Sequence, residues 1–212
     1  MSRLLVVTAV AAERDAILSA LAAVDAGLDV DVIIGGVGPA ASAAAASAAL
    51  ARTPGDIVIS AGIGGGFAPA EVGGIAVASS IVFADLGAET PDGFGHISLL
   101  RLGPAQYDVT PALAVQVADR TGGHMGTVLT VATVTGTAAT ANELSERYPD
   151  AIAEGMEGAG VAAAATLHEV PFAEIRAISN LVGPRDRPSW RIPEALAALG
   201  TALAAFVTAG PL

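Results

Sequence analysis

Short apolar runs alternate with alanine-rich stretches along the chain, and this alternation constrains the fold more than any other feature. The apolar runs are rich in β-branched residues and predict buried strands at residues 3–8, 29–34, 56–60, 75–84, 126–134 and 172–179. The stretches between them predict helices at residues 11–24, 40–51, 140–148, 157–168 and 193–207. Strands that alternate with helices predict an α/β fold with a mixed, largely parallel central sheet flanked by helices.

The length of the chain predicts one domain. Its 212 residues are the size of a single domain, and neither a break in composition nor a repeat divides them. We therefore expect residues 1–212 to form one domain. Residues 85–103 depart from the alternation because they are rich in Gly and Asp, and we interpret them as a functional loop or a hairpin.

The composition excludes several kinds of chemistry. Cys is absent and all 10 basic residues are Arg, so thiol nucleophiles, disulfides, lysine Schiff bases and the lysine of a P-loop are excluded. The formal net charge of -11 argues against a nucleic-acid partner, since that binding requires basic side chains on the phosphates. No apolar stretch is strong enough to predict a membrane span, and residues 1–7 lack the long apolar region of a signal peptide. We therefore expect a cytoplasmic protein.

Neither a metal nor an organic cofactor is expected. The three histidines lie far apart and lack the spacing of metal ligands. We interpret His168 as structural and place His124 in a loop before a strand. His96 lies in the irregular segment and is the one histidine that we keep as a possible substrate contact.

Four segments are predicted to bring polar groups to the carboxyl ends of the strands, where ligands bind in sheets of this kind. Glu13 follows the first strand, the glycines 62–66 follow the third, Glu157 opens a helix, and Asn180 ends the last strand. Position alone leaves two interpretations open. Each glutamate is either an acid that a helix N-terminus favours or a functional carboxylate. The glycines lack the full dinucleotide fingerprint and indicate a turn or a close backbone approach.

Taken together, three segments resemble the nucleoside phosphorylase and nucleosidase superfamily over essentially the whole chain. They are residues 60–69 (SAGIGGGFAP), 155–159 (GMEGA) and 170–180 (VPFAEIRAISN). The resemblance implies cleavage of an N-glycosidic bond by water. By match to the family, Glu13 would deprotonate the water, Glu157 beside Met156 would bind the ribose hydroxyls, and Arg176 would position the water or the carboxylates.

The resemblance also implies a purine site. Asn180 occupies the base-recognition position, with Ser179 orienting it; the backbone of Val134 and Thr135 would complete the site, and Phe67 would pack nearby. Adenine-specific relatives place Asp at position 180, whereas the Asn of this chain favours a 6-oxopurine, so hypoxanthine is the expected leaving base. Two sources of the proton for N7 of the base stay open, namely water and Asp186.

Two further features bear on the reaction and the substrate. Phosphorylases of the superfamily place an Arg just before the glycine motif, but residues 58–61 contain none, and Arg14 alone would make a poor phosphate site. Hydrolysis is therefore expected. Within the superfamily, the chain most resembles the nucleosidases that act in menaquinone biosynthesis, and the resemblance lies in residues 8–14, 84–89, 179–186 and 190–192. The nucleoside that those enzymes cleave carries a carboxyphenyl ketone on its sugar side chain. Near the C-terminus lies a cluster of Arg185, Arg187, Trp190 and Arg191. One of the arginines would bind the carboxylate of that group and Trp190 would contact its phenyl ring, or else the cluster is part of a solvent-exposed loop.

Other functions remain open at this stage. Inosine or methylthioadenosine and S-adenosylhomocysteine are alternative nucleosidase substrates, and a non-catalytic nucleoside-binding sensor is a different class of function. The family resemblance further implies a homo-oligomer, a dimer or larger, in which residues 85–103 would close part of a partner's pocket.

Overall fold

A computed structural model gives the fold and describes residues 2–210. The strands are Arg3–Thr8 (β1), Asp29–Ile34 (β2), Ile57–Gly66 (β3), Ile75–Phe83 (β4), Gly87–Thr90 (β5), Gly93–His96 (β6), Gln106–Asp108 (β7), His124–Thr130 (β8), Ala151–Gly155 (β9) and Phe172–Leu181 (β10). The helices are Ala11–Leu21 (α1), Pro39–Arg52 (α2), Pro111–Thr121 (α3), Ala138–Arg147 (α4), Gly158–Leu167 (α5) and Ile192–Thr208 (α6), with a 3₁₀ turn at Arg187–Ser189. Within residues 2–210, no helix is long and apolar enough to cross a membrane.

Five strands of the main sheet pair in a closed ring. Going round it, β3 pairs with β10, β10 with β4, β4 with β8, β8 with β9, and β9 with the last residues of β3. The first half of β3 pairs with β1 instead, and β2 continues the sheet beyond β1. The pairs β10–β4, β3–β9 and β4–β7 are antiparallel and the other pairs of this sheet are parallel. The prediction of a mixed, largely parallel sheet is confirmed.

Small side chains let the helices approach the sheet and each other closely. A Cβ at Gly160 in α5 would lie 2.1 Å from the carbonyl oxygen of Pro39 in α2, and one at Gly200 in α6 would lie 2.8 Å from that of Ala16 in α1. Helix α6 buries Leu199, Leu203 and Phe206 in the larger core cluster. A core built from Ala, Val, Leu and Ile is therefore packed tightly despite its few aromatic residues.

The structure differs from the predicted elements at several places. Strand β3 runs through the glycines 62–66, which were predicted to follow it, because β10 pairs with it along that length. Helix α3 and strand β9 were not predicted, and His124 begins β8 instead of preceding it. Residues 85–103 contain the β5–β6 hairpin, so the hairpin interpretation of that segment is confirmed.

Candidate active site

A cavity of about 280 Å³ opens at the carboxyl ends of β1, β3 and β10 and beside the end of β9. This is the edge of a parallel sheet at which ligands bind. Its walls combine backbone of the glycine-rich strand with three buried carboxylates and one amide. The residues that line it are Ala9, Val10, Glu13, Val37, Ile63, Gly64, Gly65, Val134, Thr135, Glu154, Gly155, Met156, Glu157, Ser179, Asn180, Val182, Gly183, Arg185 and Trp190.

Glu13 is held by backbone amides at the start of α1. Its Oε2 accepts hydrogen bonds from the N–H groups of Ala9 at 2.9 Å and Val10 at 3.2 Å, and its Oε1 accepts one from Ile63 at 2.9 Å. The side chain is only 3% exposed. A carboxylate has about four acceptor positions, so these three bonds leave one open on a residue that lines the cavity. The arrangement fixes the carboxylate and leaves it able to accept one further proton donor.

Arg176 does not itself line the cavity, and it binds two carboxylates and one hydroxyl behind the cavity wall. Its Nε donates to Glu174 at 2.8 Å, its Nη1 donates to Glu157 at 3.0 Å, and its Nη2 donates to the hydroxyl of Ser60 at 2.9 Å. Burial lowers the pKa of Arg176, but attraction by Glu174, Glu157 and Glu13 outweighs burial and raises that pKa above its ordinary value. The guanidinium is therefore permanently charged and acts as the counter-ion of the cluster.

Glu157 presents one oxygen to the cavity. Its Oε2 accepts from Arg176 and from the N–H of Met156, while its Oε1 accepts only from the N–H of Gly38 at 3.2 Å. Oε1 thus retains an acceptor position, and both Glu157 and Met156 line the cavity. This is an arrangement that can receive a sugar hydroxyl.

Glu174 belongs to the cluster although the sequence analysis did not single it out. It is fully buried on β10, and its Oε2 has no hydrogen-bond partner. Burial raises the pKa of Glu174 above its ordinary value despite the neighbouring Arg176, and Glu157 adds to the rise. The available signal was an acid two residues from an Arg within an otherwise apolar strand, a spacing that puts both side chains on one face.

Asn180 stands at an irregularity of β10, where the pairing with β3 shifts between Ile178 and Asn180. Its Oδ1 accepts from the hydroxyl of Ser179 at 2.8 Å, and its Nδ2 donates to the carbonyl oxygen of Leu181 at 2.9 Å. The Leu181 carbonyl requires a donor, so these contacts assign the orientation of the amide. The second hydrogen of Nδ2 remains available to a ligand.

Glu154 forms a further buried acid in the cavity wall. It is 4% exposed, its Oε1 accepts from the N–H of Thr135 at 2.9 Å, and its Oε2 accepts from the Thr135 hydroxyl. Burial raises the pKa of Glu154 more than these two hydrogen bonds lower it. The N–H of Thr135, expected to face the base, already has this partner. The sequence analysis did not predict Glu154 as a site residue.

The rim of the cavity carries an arginine and the only Trp of the chain. The guanidinium of Arg185 lies 5.2 Å from the ring centre of Trp190, and that of Arg187 lies 5.9 Å from it. Within residues 2–210, no carboxylate forms an ion pair with Arg185. A cation on an aromatic wall is therefore free to meet an acidic ligand.

The structure brings most of the predicted site residues together, but not all of them. Phe67 does not line the cavity, because it is buried in a separate cluster with Leu129 and Val131. Arg187 and Arg191 also lie outside the lining, and Arg191 is turned toward Glu194. The predicted residues that line it are Glu13, Val134, Thr135, Met156, Glu157, Ser179, Asn180, Arg185 and Trp190.

The other residues considered in the sequence analysis lie apart from the cavity. Arg14 pairs with Asp15 at 2.6 Å, and Asp186 caps the 3₁₀ turn through its carbonyl oxygen. His96 contacts the Phe83 carbonyl and Ser98 near the hairpin. Over the part of the chain that the structure describes, no group of His, Asp and Glu is arranged to hold a metal ion.

Comparison with known proteins assigns the family. The model of the phosphorylase superfamily matches residues 16–209, and the chain belongs to that family. The chain is 51% identical to a futalosine hydrolase of Streptomyces coelicolor, over 94% of this chain and 93% of that protein. It is 44% identical to the futalosine hydrolase of Acidothermus cellulolyticus, over 95% of this chain and 89% of that protein.

Solved structures share the fold. The 5'-methylthioadenosine/S-adenosylhomocysteine nucleosidase of Neisseria meningitidis superposes with a TM-score of 0.85 at 19% identity, covering 99% of this chain and 100% of that one. The futalosine hydrolase of Helicobacter pylori superposes with a TM-score of 0.82 at 17% identity, covering 97% of each chain. These likenesses establish the nucleoside phosphorylase-like architecture that the sequence analysis expected.

Proposed function

We propose that the protein hydrolyses the N-glycosidic bond of futalosine, releasing hypoxanthine and dehypoxanthine futalosine, as a step of menaquinone biosynthesis. The identity of 51% to a futalosine hydrolase supports the substrate. The observation that carries the reaction is the single cavity onto which Glu13 and Glu157 both open, each with an acceptor position unused. Two such carboxylates suit the chemistry of a ribosyl transfer to water.

In this proposal Glu13 is the base that activates water. Its one open acceptor position takes a proton from the attacking water, while three backbone N–H groups keep the carboxylate in place. As the C–N bond breaks, positive charge develops on the sugar ring. The buried carboxylates of Glu13 and Glu157 stabilise that charge in a site with little competing solvent.

The electrostatics of the cluster favour water over phosphate as the nucleophile. Glu174, Glu157 and Glu13 surround the single cation Arg176, and its Nε, Nη1 and Nη2 each donate to a protein group, so the carboxylates of the cluster outnumber its cation. Arg14, the other arginine considered for a phosphate, is paired with Asp15. The carboxylates would repel a phosphate dianion, and no cationic donor would bind it. Water is neutral, so the carboxylates do not repel it.

The two ends of the cavity suit the two ends of futalosine. Asn180 donates from Nδ2 toward O6 or N7 of the purine, with its orientation held by Ser179 and Leu181. At the rim, Arg185 and Trp190 receive the carboxylate and the phenyl ring of the sugar side chain.

Base release by the purified protein tests the proposal. Futalosine, inosine and methylthioadenosine are incubated separately with and without phosphate, and the products are separated by chromatography. We expect hypoxanthine from futalosine at a rate that does not depend on phosphate. Adenine from methylthioadenosine would contradict the role of Asn180, and binding of futalosine without release of base would indicate a sensor.

We also propose that the protein acts in the cytoplasm as a homo-oligomer whose contact includes residues 85–103. This segment exposes Leu99 by 78% and Leu102 by 73%, and its Phe94 lines a cavity beside Thr135 of the proposed site. Apolar residues this exposed favour association with another protein surface. Light scattering should give a mass above 20.8 kDa, and the double change Leu99→Asp, Leu102→Asp should lower it.

A further inference from the structure

Gly65 separates Glu154 from Asn180 in the sheet. In the register of the strands, Gly65 of β3 is paired with Glu154 of β9 on one side and with Asn180 of β10 on the other. Two strand spacings place the Cα atoms of the two polar residues roughly 9–10 Å apart. All three residues line the cavity. An acid and an amide thus face a common space across one residue that has no side chain.

The bare backbone at Gly65 keeps this space open. A Cβ there would lie 2.8 Å from Cγ2 of Val182 and 3.6 Å from Nδ2 of Asn180. Any side chain would therefore crowd Val182 and occupy space next to the amide of Asn180. The glycine leaves room for a flat ring to lie against the strand.

In its ionised form Glu154 offers only hydrogen-bond acceptors. Thr135 donates to both of its oxygens, and each oxygen keeps a further acceptor position. Within residues 2–210 no arginine or histidine forms an ion pair with it. Burial without a neighbouring cation raises the pKa of Glu154 although Thr135 donates to it, and a donor on a bound ligand would favour the ionised form. The proposed mechanism leaves this carboxylate without a role.

We propose that Glu154 accepts a hydrogen bond from N1–H of the leaving purine and, together with Asn180, selects a 6-oxopurine over a 6-aminopurine. The inference rests on the proposed function and names a specificity residue for it. A 6-oxopurine presents a donor at N1 beside the acceptor O6, which match Glu154 and the Nδ2 of Asn180. A 6-aminopurine presents an acceptor at N1 and a donor at position 6, so both contacts would be repulsive.

Binding of the free bases tests the inference. Calorimetry with hypoxanthine, adenine and 1-methylhypoxanthine is carried out on the wild type, on Glu154→Gln and on the matched control Glu143→Gln, an exposed acid of α4. The wild type and the control should bind hypoxanthine about 10- to 100-fold more tightly than either other base, as for a hydrogen bond to a charged group. In Glu154→Gln the preference over adenine should shrink by about tenfold or more, since an amide also donates to N1.

Each outcome has one meaning. An unchanged ratio of hypoxanthine to adenine affinity in Glu154→Gln would overturn the inference and leave Glu154 as an anchor for Thr135. Equal binding of hypoxanthine and 1-methylhypoxanthine by the wild type would also overturn it, and this arm needs no folded variant. Absence of hypoxanthine release from futalosine would refute the proposed function instead, and the binding ratios would still decide the role of Glu154.

Discussion

Gly62 faces Arg176 so closely that a Cβ on the glycine would lie 2.6 Å from Nη1 of the arginine. The same Cβ would lie 2.7 Å from Oε1 of Glu13. The glycine is therefore the reason that the guanidinium and the carboxylate can approach the same point of β3. Arg176 and Glu13 can pack against β3 in their present positions only because residue 62 has no side chain.

Replacement of this glycine should disturb the cluster. Gly62→Ala places a methyl group against Arg176 and Glu13, so we expect a loss of about 1–3 kcal/mol of stability from overpacking together with a fall in kcat. Urea unfolding and initial rates measure the two effects. Gly55→Ala is the control, because its Cβ would come no closer than 3.5 Å to its neighbours. Full activity in Gly62→Ala would contradict the close approach.

Removal of the proposed base should abolish turnover. Glu13→Gln cannot take a proton from water, and we expect kcat for futalosine to fall by about 10²- to 10⁴-fold, with the affinity for hypoxanthine largely kept. Rates and calorimetry give the two quantities. Asp15→Asn, a change on the same helix that only breaks an exposed pair with Arg14, should leave kcat within about twofold. Wild-type turnover by Glu13→Gln would remove Glu13 from the mechanism.

Glu174 should make the stability depend on pH. Its pKa is raised by burial above its ordinary value of 4.5, so the folded protein holds this proton more tightly than the unfolded chain does. The contribution of Glu174 to the free energy of unfolding is then largest below pH 4.5 and falls as pH rises through the folded-state pKa. Glu174→Gln cannot ionise and should lose less stability than the wild type on going from acidic to neutral pH.

Urea unfolding at acidic and neutral pH measures this difference. Glu146→Gln, a change of an exposed acid, should keep the pH dependence of the wild type. If the free energy of unfolding falls by the same amount from acidic to neutral pH in Glu174→Gln and in the wild type, the pKa of Glu174 is not raised in the folded protein.

Arg185 should matter only for a substrate that carries an acid. Arg185→Gln removes the cation beside Trp190, and we expect the KM for futalosine to rise about tenfold or more, as for loss of a charge-assisted hydrogen bond. The KM for inosine, which lacks the carboxyphenyl group, should not change. Arg191→Gln is the control, since Arg191 is paired with Glu194 outside the cavity. A parallel rise for both substrates would refute the contact with the carboxylate.

The sequence predicts a strand or helix correctly where the local residues themselves favour that secondary structure. The runs at residues 3–8 and 29–34 gave the bounds of β1 and β2 because β-branched apolar residues suit a pleated strand. Helix α3 was missed although Pro111 at its start and Gly122 just after it are typical signals of helix ends. The glycine half of β3 was missed for a different reason, because glycine disfavours strands and only its neighbours impose one there.

The site was predicted to the extent that its residues follow strand ends. Glu13, Glu157 and Asn180 were found in this way, and the structure places all three at one cavity. Glu174 and Glu154 were not found because each lies within a strand, where periodicity reports burial but not the partner of an acid. The contact of Glu154 with Thr135 joins two segments that only the fold brings together, whereas Glu174 and Arg176 are two residues apart on β10 and could have been paired from their spacing.

The register at Gly65 also bears on how such a protein can change its substrate. The groups proposed to read the base project from β9 and β10, whereas Glu13 and Glu157 belong to the beginnings of two helices. The proposal therefore predicts that substitutions at Glu154 and Asn180 alter the preferred nucleobase while the chemistry at the sugar is kept. If these two residues read the base as proposed, a library of substitutions at Glu154 and Asn180 should yield variants with a changed base preference that still cleave the ribosyl bond.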